Sequence, residues 1–267
     1  MEVQFYKPSS EILKQYMEGF YFIDKKAISE VIKYWTFPNN YCIAAVYQHT
    51  DLILEENKIV VAASRQNNIA SSLVSRYVRP IEIIQHAVTD EITIYFKPLG
   101  LNQFVDDLPE MFKADIVSFN PFADYQEKMA EIFNTPGRDA QIRKLEDYWL
   151  SKLKYNDFSL AEQLIADVQS DLKINDIAAK HKISRQYLNR IFIQHIGKSP
   201  SEFRKIHRFR NAISEKQKSG NLTQLSYLAQ FYDQSHFIRD FRGFTHFTPS
   251  DFFGKVDTGK ENVWFVF

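Results

Sequence analysis

The chain has 267 residues, of which 45% are apolar and 25% charged, with 33 basic and 33 acidic side chains. That length suits two cores better than one, and no run approaches the roughly 18 apolar residues of a membrane-spanning helix. A single cysteine, Cys42, excludes an internal disulfide and a multi-cysteine zinc site and fits a reducing cytoplasm, while the start MEVQFYKPSSEILKQ lacks the pattern of a secretory signal.

The even charge balance hides a split. Residues 171–256 hold 15 Lys and Arg against 7 Asp and Glu, and the remainder holds 18 against 26. Five of the seven histidines also fall in the basic part. Such asymmetry suggests a polyanion-binding module joined to a segment with another task, or a merely solvated basic surface.

Up to about residue 120 the chain reads mainly as strands. Apolar, β-branched or aromatic runs recur at Gly19–Ile23, Val31–Trp35, Tyr41–Tyr47, Lys58–Ala62, Ile81–Val88 and Glu91–Phe96, separated by turn formers such as Pro38-Asn39-Asn40 and Arg65-Gln66-Asn67-Asn68. This spacing predicts an antiparallel sandwich or small barrel. Ile92, Ile94 and Phe96 alternate with Thr93 and Tyr95, which predicts a half-buried strand. Cys42 sits in an apolar run and reads as inert packing rather than as a nucleophile.

After about residue 124 the period becomes helical. Tyr125, Met129, Ile132 and Phe133 share a face, and Thr135-Pro136-Gly137 breaks it. From Arg138 to about Lys154, Ile142, Leu145, Trp149 and Leu153 form a stripe that serves either core packing or a dimer contact. The polar joint Lys154-Tyr155-Asn156-Asp157 marks a boundary between a domain over 1–155 and one over 156–267.

The second part contains an internal repeat. Lys173–Ala178 corresponds to Asn221–Ser226 at an offset of 48, and Leu188, Arg190 and Phe192 correspond to Phe237, Arg239 and Phe241 at an offset of 49. Ser199-Pro200-Ser201-Glu202-Phe203 likewise matches Thr248-Pro249-Ser250-Asp251-Phe252. Each copy has helix-turn-helix form. In the first, Ile174, Ile177 and Ala178 line a short helix, His181-Lys182-Ile183 turn, and a second helix runs from about Ser184 to His195. Leu188, Ile191, Phe192 and His195 face inward there, leaving Arg185, Gln186, Asn189 and Arg190 outward. In the second copy Leu222 and Leu225 lead to a turn near Gln230-Phe231-Tyr232. A helix then runs from about Asp233 to Gly243, with Phe237 and Phe241 inward and Gln234, Ser235, Ile238, Arg239 and Arg242 outward.

Arg pairs bidentately with guanine and Asn or Gln with adenine, and an α-helix fits the major groove, so these outer faces suit base reading. Arg190 and Arg239 acting only as turn braces is the alternative. Between the copies, Ser199 as N-cap, Pro200 at the first helical position and Glu202 as capping-box partner open a long helix that reaches about Lys218 and stops at Ser219-Gly220. Arg204, Lys205, Arg208 and Arg210 lie along it. Arg204 and Arg208, with Arg185 and Arg242, are the candidates for phosphate contacts, which position without specifying.

The stretches SRQYLNRIFIQHIGKSPSEFRKIHRFRNA and LAQFYDQSHFIRDFRGFTHFTPSDFF resemble the DNA-binding domain of AraC-family transcription regulators, over roughly residues 158–254. Asp233–Phe241 is the most specific part. The resemblance implies a cytoplasmic, non-enzymatic regulator without a cofactor, whose partner is double-stranded DNA. RNA polymerase, a small-molecule effector and a second copy of the chain are further partners it leaves open. Carried over position by position, its base-contacting sites fall on Gln186, Asn189 and Arg190, and on Gln234, Ser235 and Arg239. Lys182 and Gln230 replace the family's usual turn glycine, His246 stands where the first copy has Gly197, and Phe253 stands where a basic residue is common. The first half, through Tyr6-Lys7-Pro8, Ile94–Gly100 and Leu145–Leu150, resembles a cupin-like β-rich domain found ahead of this module. The whole is therefore expected to be α+β, with trailing helices on the β-rich part and an all-α second part.

Enzymatic readings have little to stand on. A metal-dependent cupin needs clustered ligands, and only His49 and His86 precede residue 181. With 8 glycines, the chain carries no Gly-rich phosphate loop. The competing readings are a small-molecule binder whose helix-turn-helix module no longer binds DNA, and a metal-independent cupin-type enzyme fused to it.

Overall fold

The computed structural model describes residues 4–25, 30–216, 222–228 and 233–256. The chain forms two compact units: Met1–Lys33, Tyr41–Ser75 and Ile83–Asp157 make one, and Tyr34–Asn40, Arg76–Glu82 and Phe158–Phe267 the other. The architecture is α+β, with a β-rich first part followed by helices. Among the described residues no helix is long and apolar enough to cross a membrane.

The β-rich part runs β1 (Phe5–Tyr6), α1 (Glu11–Tyr16), β2 (Met17–Ile23), β3 (Ile32–Thr36), β4 (Cys42–Gln48), β5 (Thr50–Glu55), β6 (Lys58–Ala63), β7 (Ile69–Val74), β8 (Ile81–Gln85), β9 (Glu91–Phe96), α2 (Leu108–Met111), β10 (Ile116–Ser118), α3 (Tyr125–Phe133) and α4 (Arg138–Ser151). Two sheets result, ordered β1-β2-β9-β4-β7-β10 and β3-β8-β6-β5. Antiparallel register puts Phe20, Ile94, Ala44 and Leu73 in one row across the larger sheet, and Tyr21, Thr93, Ala45 and Ser72 in the next. Because side chains alternate along a strand, these rows face opposite ways.

The first face carries the main core of this unit. Phe20, Ile94 and Phe96 cluster there with Phe104, Tyr125, Met129, Leu145 and Trp149. The Trp149 ring lies 4.9 Å from that of Phe96 and 5.3 Å from that of Phe104, both edge-on. The stripe of α4 is thus spent on this core, with Ile142 and Leu153 packed at its margin. Glu146, on the same helix, accepts from Ser9 N at 2.7 Å, Ser9 Oγ at 2.5 Å and Ser10 N at 3.2 Å, tying α4 to the start of α1. Cys42 is buried, with Sγ 3.6 Å from the Ser75 carbonyl.

Two expectations need correction. β9 is not half-buried: all six of its residues are covered, Thr93 and Tyr95 included. α4 ends at Ser151, three residues before Lys154, and Lys152 instead donates to Asp124 at 2.8 and 2.9 Å.

The opposite face is buried but polar. Glu91, 3% exposed, accepts from the Tyr21 hydroxyl at 3.1 Å and the Thr93 hydroxyl at 2.6 Å. Burial pushes its carboxyl up to about 7, against the lowering effect of those two hydrogen bonds. Ser72, 1% exposed, sits one strand beyond Ala45 in the row of Thr93, and its hydroxyl makes no hydrogen bond among the described residues.

The helical unit contains α5 (Ser159–Gln169), α6 (Ile174–Lys180), α7 (Arg185–Ile196), α8 (Pro200–Glu215), α9 (Leu222–Leu228), α10 (Gln234–Thr245) and α11 (Pro249–Lys255). On the α5–α7 side, Leu164, Val168, Ile177, Leu188 and Phe192 are buried, and Phe192 meets Phe203 of α8 at 5.7 Å. A second cluster joins Phe209, Ala212 and Ile213 of α8 to Leu225, Phe237, Phe241, Phe252 and Val256, and it includes Phe37. One helix, α8, therefore supplies both helix-turn-helix halves with apolar anchors.

Candidate nucleic-acid interface

Each second helix of the repeat begins on a side-chain cap. Ser184 Oγ accepts from Tyr187 N at 3.1 Å to start α7, and Asp233 Oδ1 accepts from His236 N at 2.7 Å to start α10. The capping box of α8 is formed, with Glu202 N donating to Ser199 Oγ at 3.2 Å and Ser199 N donating to Glu202 Oε2 at 2.7 Å. The parallel site in the repeat, Thr248, accepts from Asp251 N at 3.2 Å.

In α7 the buried stripe is Leu188, Ile191, Phe192 and Ile196. His195, expected in that stripe, is half-buried with its ring 5.2 Å from Phe158, and burial lowers its pKa. Arg185, Gln186, Asn189 and Arg190 are all exposed. Arg185, Gln186 and Asn189 line an open depression with Ile174, Ser184, Pro200 and Ser201. The Arg190 guanidinium stacks 4.9 Å over the ring of Tyr187, which is 38% exposed. That stacking orients the arginine without consuming its donors. Tyr187 was missed in the sequence, because an exposed aromatic carries no periodic signal.

In α10, Phe237, Phe241 and Thr245 are buried, and Gln234, Ser235, Arg239 and Arg242 are exposed. Ser235, Arg239 and Arg242 line a second depression together with Ile238. Ile238 is not fully outward as expected; it is half-buried against the second core. Asp240, the acidic neighbour of these arginines, is largely buried, and its Oδ1 lies 4.0 Å from Arg239 Nε. Its carboxylate lies 3.2 Å from His236 Nε2 and 3.8 Å from Lys205 Nζ of α8, with 9% side-chain exposure.

The turn of the first half behaves as its sequence implies. Lys182, in the place of the usual glycine, takes φ 54. Left-handed geometry costs a non-glycine residue roughly 1 kcal/mol. Asp167 of α5 braces this turn, accepting from Lys180 Nζ at 2.7 Å and His181 Nε2 at 2.6 Å, and these donors lower its pKa. The turn at Gln230-Phe231-Tyr232 and the helix stop at Ser219-Gly220 lie outside the described residues. α8 spans Pro200–Glu215 among the described residues, and the expected end near Lys218 lies outside them.

The four arginines assigned to phosphate differ in their surroundings. Arg185 and Arg242 are exposed. Arg204 is turned toward α5, where Nε donates to the Val168 carbonyl at 2.8 Å and Nη2 to the Leu172 carbonyl at 2.6 Å. Burial and the neighbouring Arg208 lower its pKa. Arg208 is half-buried, and its Nε makes no hydrogen bond among the described residues. Among those residues, no three His, Cys, Asp or Glu side chains are grouped to hold a metal ion.

Residues 177–255 match the family model described as Helix-turn-helix domain. No curated protein matches the chain. Among solved structures, ToxT from Vibrio cholerae is similar at 14% identity over 87% of this chain and 95% of that one, with a TM-score of 0.46. ToxT of strain SCE256, solved with an unsaturated fatty acid bound, is similar at 15% identity over 87% and 92%, with a TM-score of 0.47. An AraC-type DNA-binding domain-containing regulator from Chromobacterium violaceum reaches 26% identity over 34% of this chain and 82% of that one, with a TM-score of 0.30.

Proposed function

We propose that this chain, whose C-terminal region is a helix-turn-helix domain of the AraC type, regulates transcription by reading duplex DNA with α7 and α10 in adjacent major grooves. One observation carries the reading. Two capped helices in a basic segment each expose a face of groove-reading side chains, Gln186, Asn189 and Arg190 on one and Gln234, Ser235 and Arg239 on the other. The 16 residues of α8 rise about 24 Å, a length that suits holding two helices near one DNA turn, roughly 34 Å, apart. Arg185 and Arg242 contact phosphates beside the reading residues.

In the same reading, residues 1–155 sense a small molecule or pair two copies, and residues 156–267 bind DNA. The buried polar face around Glu91, Thr93, Tyr21 and Ser72 supports a small effector with hydrogen-bonding groups.

Selection of bound sequences from random duplexes with the purified chain tests the proposal. An enriched motif with two half-sites about one helical turn apart is the expected result. Recovery of unenriched sequence, with binding only at low salt, would refute sequence reading.

A further inference from the structure

Two short segments that precede the repeat by about 90 to 140 residues in the chain belong to the helical unit: Tyr34–Asn40 and Arg76–Glu82. They are joined to each other by Asn39 N donating to the Tyr77 carbonyl at 3.4 Å. Their contacts fall on both halves of the repeat. On the first, Arg76 Nε donates to the carbonyl of Gly197, the residue that closes α7, at 2.8 Å. Arg76 Nη2 also lies 3.4 Å from Glu202, the capping-box carboxylate that starts α8, and Asn40 Nδ2 donates to the Phe203 carbonyl at 3.0 Å. On the second, Phe37 is buried in the apolar cluster with its ring 4.9 Å from that of Phe252. Trp35 sets its ring edge-on to that of His246, the residue that closes α10, at 5.7 Å.

The far ends of both reading helices are thus held by one pair of segments. A bond to the carbonyl of a helix-closing residue anchors that end of the helix, and the buried Phe37 anchors the cluster on which α10 rests. We propose that residues 34–40 and 76–82 form a strap that sets the separation of the two recognition helices, with Trp35, Asn40 and Arg76 as positioning residues for DNA reading. The proposal rests on the DNA-reading function above. A strap of this kind matters little for one half-site alone. It matters greatly for two, because two linked modules gain from each other only when their geometry matches the span of their sites.

The experiment uses the full chain and the duplex it selects, rebuilt with one base pair added or removed between half-sites, and also with one half-site scrambled. Phe37→Ala risks loss of fold, so the test variant is Trp35→Leu combined with Arg76→Gln. Wild type should lose about tenfold or more in affinity for each change of spacing, and the variant should show less than about threefold discrimination. Binding to the single half-site should stay within about twofold of wild type, which shows that the variant is folded. A folded variant with the wild-type spacing profile overturns the strap, as does a wild type indifferent to spacing. Failure of the wild type to enrich any sequence removes the DNA-reading function itself, and the strap falls with it.

Discussion

His246 closes α10 in the left-handed conformation in which Gly197 closes α7, at φ 62 and φ 74. Both helix ends use the same hydrogen bond, from the closing N–H to the carbonyl four residues earlier, Arg242 in one and Ile193 in the other. Glycine meets this geometry without strain and a branched side chain does not. Gly197→Ala should therefore destabilise the first half by about 1 kcal/mol. His246→Gly should leave the second half no less stable, relief of strain offsetting the lost Trp35 contact. Hydrogen exchange of the α7 and α10 amides reads each effect locally. Faster exchange in α10 of His246→Gly would show that the Trp35 contact outweighs the strain.

Lys182 offers a cleaner case, since its side chain is exposed and its φ is 54. Lys182→Gly should stabilise the first half by about 1 kcal/mol, less the extra chain entropy of glycine, and lower the salt dependence of DNA binding little. Chemical denaturation of both proteins checks this.

The arginines should separate by role. Arg204→Ala removes two hydrogen bonds to main-chain carbonyls of the α5 end and should cost about 1–3 kcal/mol of stability. Arg185→Ala and Arg242→Ala should leave stability unchanged within about 0.5 kcal/mol and reduce the slope of log affinity against log salt by about one. Titrations at several salt concentrations, paired with melting curves, distinguish the two classes.

Glu91 makes the stability of the β-rich unit depend on pH. Its folded carboxyl titrates at about 7 against an ordinary value of 4.5, so the folded state holds the proton more tightly than the unfolded state. Stability is then greatest below pH 4.5 as far as this group is concerned, and declines as pH rises toward and through 7, by on the order of 3 kcal/mol in all. Glu91→Gln removes that slope. Melting temperatures of wild type and variant between about pH 5 and pH 8 should diverge as pH rises, the variant becoming relatively more stable. Parallel curves would mean that Glu91 is not the titrating group.

Much of the helical unit was legible because its signals are local. Caps such as Ser184 and Asp233 precede apolar stripes of helical period, and the repeat shows the same pattern twice. The strands β5 and β7 were harder to read. β7 reads Ile-Ala-Ser-Ser-Leu-Val, whose small polar residues carry little strand propensity, and its place between β4 and β10 is what buries it. β9 was misjudged for a related reason, since alternation of apolar with polar residues looks the same whether the polar face meets water or a covered interior. Apart from Ile238, the outward candidates of α7 and α10 could be placed from periodicity, yet the carbonyl partners of Arg204 and the grip of Trp35 and Arg76 could not. Those contacts join residues far apart in the chain, and nothing in either local pattern announces the other.

The central claim is that α7 and α10 each read bases, and binding of Arg190→Ala and Arg239→Ala to a panel of single-base operator variants tests it most directly. Each substitution should cost about 1–3 kcal/mol on the selected site and relax sequence preference in one half-site only. The two relaxed half-sites should differ and lie about one helical turn apart. If both substitutions weaken every variant equally, the arginines clamp phosphate or brace the fold, and the account of sequence reading is wrong.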